Sequence, residues 1–505
     1  MCFVRFNKII AIGLLILLFG VAKAQIAPDN RLEIILKDGF KNERIYKSTK
    51  GYFILEAEAE KKMHNKQEVR YELYNADLNE LKTASLYVPT DMYCNNTYSD
   101  DSCVYKMYKN NKQAFLITRV TITGLSVDTV RGTLPKGIDL LDMKVVDSKA
   151  WFQSKLKSKT CILQVNLKSG ESKVSEFIEK KWSRKTSIVN YQMAPQSGEL
   201  LVFLNKYIKR GVCELSQMRV NGSCELCDNI QLTGTGDKII SSVSGYRVSD
   251  NEMVYTGTYS RTNMNRSEGL FFAKSEGNKL SYINYVNFLD MKNFLSYQPE
   301  FSQKVIKTIK KIFNKNGKEY SINYNIAAHD IIPIPGGYLL VGEAYYPSYT
   351  SIPHTTTSMI NGMMMTQTYY TTVFNGYCYT HAFASAFSTD GKLLWDQCFE
   401  MSPSEMPYYP KRFIRISEQT DKNIALVYTS GKYMVSKIIG FDGTVANDVK
   451  RDLINSGNEN EKTSWTISNA DYWYGNNFLV YGTQVVKNNA DKSKRSVFYV
   501  NKVRF

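Results

Sequence analysis

One pattern governs what this chain can become. A short apolar strand leads into a tight turn carrying Gly, Asp or Asn, and a second strand follows. The turns read "NADLNEL" from Asn75, "LKSGESKV" from Leu167, "RVNGSCEL" from Arg219, "AKSEGNKL" from Ala273, "FSTDGKLL" from Phe387 and "IGFDGTVA" from Ile439. Glycine supplies the positive φ such turns need, and Asp or Asn tolerates it. Apolar strands stand upstream: "YFILEAE" at Tyr52, "LLVFLNK" at Leu200, "MVYTGTY" at Met253, "YLLVGEA" at Tyr338, "IALVYTS" at Ile424 and "FLVYGTQVV" at Phe478. Another strand, "AFLITRVTI", starts at Ala114. Leu200 to Met253 spans 53 residues and Ile424 to Phe478 spans 54. A period of ~50 residues is that of a four-stranded unit which cannot bury both faces alone and must stack on its neighbours.

The expected architecture is therefore all-β: a β-propeller of seven blades, with six to eight as the range. A pair of β-sandwiches is the competing arrangement. The composition agrees, with Tyr 35 and Phe 24 against Pro 12, since aromatic residues favour pleated, half-buried surfaces. The last segment, "SVFYVNKVRF" from Ser496, ends on a strand with no chain left to complete a unit. "RLEIILKDGF" from Arg31 could supply the missing strand and close the ring, which would remove open sheet edges.

The stretch "AFASAFSTDGKLLWDQCFEM" resembles the D-G-x-L-x-W strand-turn-strand of quinoprotein-type β-propellers. Their tryptophan recurs in most blades, whereas Trp395 stands nearly alone here, so the resemblance implies the blade and not the quinone. No cofactor is expected. The leader and the Asn-, Lys- and Tyr-rich strands resemble exported propellers of Bacteroidetes envelopes.

That leader is "MCFVRFNKIIAIGLLILLFGVAKAQ". Arg5 and Lys8 precede an apolar run from Ile9 to Val21, and Ala22-Lys23-Ala24 offers small residues where a signal peptidase reads. We expect a signal peptide over 1–24 and the propeller over 25–505, in the periplasm or associated with the outer membrane. The net charge of +16 falls to +13 once Arg5, Lys8 and Lys23 leave. Such a surplus favours acidic partners. Nucleic acid is not expected of an exported chain without a binding module.

Two insertions interrupt the period, at about 297–325 and 345–377. In the first, Val305, Ile309, Ile312 and Phe313 share one helical face while Lys304, Lys307, Lys311 and Lys315 lie largely elsewhere. Contact with a membrane surface through 304–315 competes with a helix that merely decorates the ring. The second insertion holds Met359, Met363, Met364, Met365, Tyr369, Tyr370 and Phe374. Methionine and aromatic side chains adapt to partner surfaces. We read it as a protein-binding loop, with a flap over one end of the ring as the alternative. Its thioethers and His354 do not converge as a metal site would require.

Eight cysteines follow the leader, an even number for an oxidising compartment. Cys94 with Cys103, and Cys378 with Cys398, are the expected disulfides. Cys224 and Cys227 form a CxxC in a strand-and-turn context, which favours a structural role over a redox one. No catalytic set is recognisable. His64, His329, His354 and His381 make neither HExxH nor HxH. His329-Asp330 is the best single candidate for chemistry near the axis.

The resulting expectation is a non-enzymatic envelope propeller that binds partner proteins, as an accessory or plug of an outer-membrane transport or protein-secretion complex. A glycan-binding or glycan-cleaving propeller is the second reading.

Overall fold

The computed structural model describes residues 28–35, 39–175, 185–193, 198–209, 212–232, 238–261, 264–361, 363–417, 422–452 and 460–504. The signal peptide expected over 1–24 lies outside them. The described strands form eight antiparallel sheets, one more than the seven expected and within the range of six to eight.

Seven sheets follow chain order. The first holds Phe40–Ser48, Tyr52–Ala59, Lys66–Tyr74 and Glu80–Pro89. The second runs from Tyr93–Ser99 to Val127–Thr133, the third from Ile138–Val146 to Ser172–Ser175, and the fourth from Thr186–Met193 to Leu226–Gln231. The fifth runs from Ile239–Arg247 to Lys279–Asn287, the sixth from Asn325–Ala328 to Leu393–Glu400, and the seventh from Arg415–Ile416 to Val445–Asp452. The eighth joins the two ends of the chain. Glu461–Tyr474, Asn477–Asn488 and Lys494–Arg504 are completed by Pro28–Ile35, with Leu32 opposite Val500 and Ile34 opposite Phe498. The strand expected from Arg31 thus closes the ring. Arg495 fastens it through Glu33 at 2.7 Å.

Eight apolar clusters fill the gaps between successive sheets. The one holding Phe53, Trp473, Leu479 and Phe498 joins the eighth sheet to the first. Trp473 also donates to the Tyr52 carbonyl at 3.0 Å. A sheet buried on both faces explains why the second and third strands read as continuous apolar runs rather than alternating ones. Cys103–Lys109 is buried along its whole length, whereas the fourth strand Val127–Thr133 is mostly exposed. First strands of neighbouring sheets approach one another around the axis. Side-chain amides lace them together: Asn95 donates to the Leu140 carbonyl at 3.3 Å and Asn190 to that of Val243 at 2.8 Å.

All six turns read from the sequence join a third strand to a fourth. Each such turn can reach back against the preceding sheet, and Gly443 shows why glycine is needed. Its φ is +85°, and an added Cβ would lie 2.7 Å from Trp395 Cγ. Trp395, on the fourth strand of the sixth sheet, donates to the Phe441 carbonyl at 2.8 Å. The D-G-x-L-x-W pattern therefore combines the turn of one sheet with an indole that receives the turn of the next.

A four-stranded meander sorts its connections between two faces of the ring. Turns from first to second and from third to fourth strand lie on one face. Links between sheets, and turns from second to third strand, lie on the other, here called the connecting face. Both insertions fall on the connecting face.

The expected disulfides are not formed: Cys94, Cys103, Cys378 and Cys398 are free thiols. Cys94 stands opposite Tyr108 and Cys103 opposite Thr121, at far ends of adjacent strands. Cys378 stands opposite Tyr346, while Cys398 faces Phe383, five residues farther along. At ~3.3 Å per residue these pairs sit on the order of 15 Å apart along the strand, and a disulfide spans Cα atoms at most ~7 Å apart. Cys94 and Cys103 were expected to bracket a polar loop, and Cys378 and Cys398 to flank one hairpin; extended strands hold both pairs apart instead.

Candidate interaction face

The Met/Tyr insertion is a β-ribbon, not a loop. Gly337–Ile360 and Met363–Ser388 are single continuous strands. Their first and last thirds belong to the sixth sheet. Between Tyr346 and Tyr377 they leave it and pair only with each other, from Pro347 opposite Tyr377 to Ile360 opposite Met363. At ~3.3 Å per residue the ribbon reaches about 45 Å from the ring.

Its root is built to hold a direction. Register shifts at Ala344/Tyr345 and Ser348/Tyr349 re-aim the strands where they leave the sheet. Gly376, with φ +122°, lies so close to the link after the sixth sheet that a Cβ would stand 2.5 Å from the Met406 carbonyl oxygen. Tyr377 donates its N–H to the Pro407 carbonyl at 2.8 Å. Tyr379 accepts the N–H of Lys411 at 2.8 Å and packs edge-on against Phe413. Phe374 belongs to this root, touching the rings of Tyr349, Tyr377 and Tyr408.

Beyond the root the ribbon stands in solvent. Met359, Met363 and Met364 are 73–75% exposed, and Met365, Tyr369 and Tyr370 more than half exposed. The seven residues expected to bind a partner are therefore brought onto one element but split between its two faces. Met359 and Met364 pair on one face, with Tyr370 and Phe374. Met363, Met365 and Tyr369 share the other, where Tyr369 stacks on His354 at 5.1 Å and His354 Nε2 meets Thr371 Oγ1 at 2.6 Å.

Sequence reasoning passed over two features. No Asp, Glu, Lys or Arg occurs between Glu343 and Asp390. That gap is itself the signal, since exposed edge strands are ordinarily blunted by charge. The two edges also differ. Pro347 and Pro353 interrupt the first strand's edge by removing donors, whereas Met363–Phe374 contains no proline, glycine or charge. Tyr408 and Tyr409, about 70% exposed beside the root, were missed as well.

His381 sits beneath the root, fully buried. Its ring stacks on Tyr297 at 3.9 Å and meets Phe294 and Tyr324 edge-on. Its Nδ1 lies 3.0 Å from Thr380 Oγ1. Burial lowers its pKa to about 3, so the ring is neutral.

His329 and Asp330 serve different ends. His329 is buried, with Nε2 2.7 Å from Glu343 Oε1. Glu343 also accepts the N–H groups of Phe413 and Ile414 at 2.9 and 3.0 Å. These four residues tie the sixth sheet to the link that follows. Asp330 lines an axial cavity of about 440 Å³ with Tyr98, Lys144, Gln192 and Arg247, and faces Arg412 at 3.6 Å. Among the described residues, no group of three or more His, Cys, Asp or Glu is placed to hold a metal.

The fold and these contacts define a β-propeller bearing a projecting ribbon. No family model and no curated protein matches the chain. Among solved structures it is similar to the β-propeller domain of the Trilobed protease from Pyrococcus furiosus, at 11% identity over 83% of this chain and all of that one, with a TM-score of 0.34. It is also similar to a prolyl endopeptidase, at 7% identity over 81% of this chain and 50% of that one, with a TM-score of 0.36.

Proposed function

We propose that this propeller is a non-enzymatic interaction protein which captures a β-rich envelope partner by strand addition to the Met363–Phe374 edge of its ribbon. The observation that carries this reading is the contrast between the two ribbon edges. One is interrupted by prolines; the other presents twelve residues from Met363 to Phe374 with an uninterrupted set of backbone donors and acceptors. Main-chain pairing supplies affinity in such complexes, and alternate side chains supply selectivity. Tyr369, Tyr370 and the methionines would provide that selectivity. The anchored root reduces the ordering cost of binding. An exported chain would meet such partners in outer-membrane transport or secretion assemblies, where it would act as an accessory or plug.

The register indicates the substitution that tests it. Proline cannot donate, so the Pro353–Tyr370 pair is one without ladder bonds, and Thr355–Thr368 two residues on is another. Thr368→Pro therefore removes an outward donor without breaking the ribbon's own ladder, and Thr355→Pro does the same on the edge already interrupted. In capture experiments from envelope membranes, Thr368→Pro should lose at least 90% of the partner while Thr355→Pro retains it. Equal recovery by both variants would refute strand addition.

A further inference from the structure

The first insertion carries an independent feature on the same face of the ring. Glu300–Lys315 forms an α-helix of 16 residues, started after Pro299 and ended by Gly317 at φ +66°. The sequence reading grouped Val305, Ile309, Ile312 and Phe313 on one face, and the structure divides them. The helix rests on the ring through Gln303, Ile306, Ile309 and Lys310, which are half-buried. Ile306 packs on the cluster containing Phe288 and Phe294, and Lys310 donates to the Leu289 carbonyl at 3.0 Å and pairs with Asp290. Phe301, Val305 and Ile312 point away from that contact, at 78%, 41% and 53% exposure. Their spacing of four and seven residues makes a single outward stripe, with Thr308 in its line.

Beside the stripe run Lys304, Lys307, Lys311 and Lys315, all exposed. Glu300 is the one acid of the helix, 3.6 Å from Lys304. Neighbouring acids are already engaged: Asp290 by Lys310, and Glu319 by Arg261 at 3.0 Å. Among the described residues Lys307, Lys311 and Lys315 have no acidic partner. An apolar stripe bordered by a row of unneutralised lysines complements an interface that is apolar below and anionic above. The charge of the whole chain, +16, has the same sign. No helix among the described residues is long and apolar enough to cross a membrane.

We propose that the Glu300–Lys315 helix docks this propeller on an anionic lipid bilayer, with Phe301, Val305 and Ile312 entering the headgroup layer and the lysines meeting lipid phosphates. The connecting face, and with it the ribbon, would then be turned toward the membrane. This orients the partner-binding reading but does not depend on it.

Flotation of the purified chain with vesicles tests the proposal directly. Vesicles of phosphatidylcholine alone should carry little protein. Those with ~30% phosphatidylglycerol should carry at least ten times more, and 0.5 M salt should reverse most of the gain through screening. Two variants are needed, Phe301→Ser/Ile312→Ser and Lys304→Glu/Lys307→Glu/Lys311→Glu. All these side chains are exposed, so folding should survive, and circular dichroism checks it. Each variant should lose at least ten-fold in vesicle binding, whereas Thr368→Pro should bind vesicles like the parent. Absence of vesicle binding by the parent, or binding unchanged in both helix variants, would overturn the proposal. So would helix variants that lose captured envelope protein while vesicles fail to bind the parent, because the occupant would then be a protein. Loss of partner capture by Thr368→Pro with vesicle binding intact separates the failure of one reading from that of the other.

Discussion

The strand Gly337–Ile360 contains two regions that obey opposite rules. Over Leu339, Leu340 and Val341 it is at most 1% exposed, packed between neighbouring sheets and paired on both edges. Eighteen residues after Val341 the same strand carries Met359 at 75% exposure, paired on one edge only. The ring is stabilised by burial on both faces, the ribbon by its own ladder and by its root. Changes in the ring should therefore cost stability, while changes in the ribbon should cost recognition alone.

The largest expected effect lies between the first and second sheets. Lys106 and Glu56 form an ion pair with no solvent exposure on either side chain. Removing Lys106 leaves the buried Glu56 with only the half-exposed Arg44 guanidinium 4.0 Å away, so Lys106→Met should lower the free energy of unfolding by about 3–5 kcal/mol in chemical denaturation. Replacement of both by Met and Leu should recover most of that loss.

His381 gives the next effect, and it depends on pH. Its pKa is about 3 when folded, against the ordinary 6.5. Between those values the unfolded chain binds the extra proton, so this contribution is fully present above about pH 6.5 and is lost as pH falls toward 3. At pH 4 the loss should be about 3 kcal/mol. His381→Phe should flatten the stability profile between pH 4 and 6. An unchanged profile would show that the root tolerates an imidazolium and is looser than its ring contacts indicate.

Gly443→Ala should cost about 1–3 kcal/mol, because it forces a positive φ and presses on Trp395. Thermal melting would read this as a shift downward. The smallest effect should come from the ribbon itself. Replacing residues 350–373 by a two-residue turn should leave unfolding within about 0.5 kcal/mol of the parent, since those side chains support nothing in the ring. A large loss there would erase the distinction between the two regions.

Most of the ring was legible because its signal is local. Gly, Asp and Asn at third-to-fourth-strand turns betray their φ, and apolar runs betray burial on two faces. The second sheet was the weak point: its third strand, from Ala114, was recognised, but its turn at Ile122–Ser126 lacks the Asp-Gly or Asn-Gly signature, and the best guess of seven, in a range of six to eight, fell one below the eight sheets of the described strands. The ribbon was read as a loop because Thr, Ser and Met give no alternation between polar and apolar faces when both faces meet water. The cysteine pairs failed because closeness in sequence says nothing about distance along extended strands. His329 beside Asp330 drew attention as neighbours, yet both lie in the short link between Asn325–Ala328 and Ile332–Ile334, and the structure gives each a different partner.

By itself, then, the sequence determined the repeating unit, the closure by Arg31–Ile35 and the presence of two foreign insertions, since each follows from backbone preferences read a few residues at a time. Tertiary structure alone decided that both insertions share one face, which apolar side chains of the helix are left outward, and which ribbon edge stays open. Those outcomes depend on which surfaces the neighbouring sheets already cover, and no local stretch of residues encodes that.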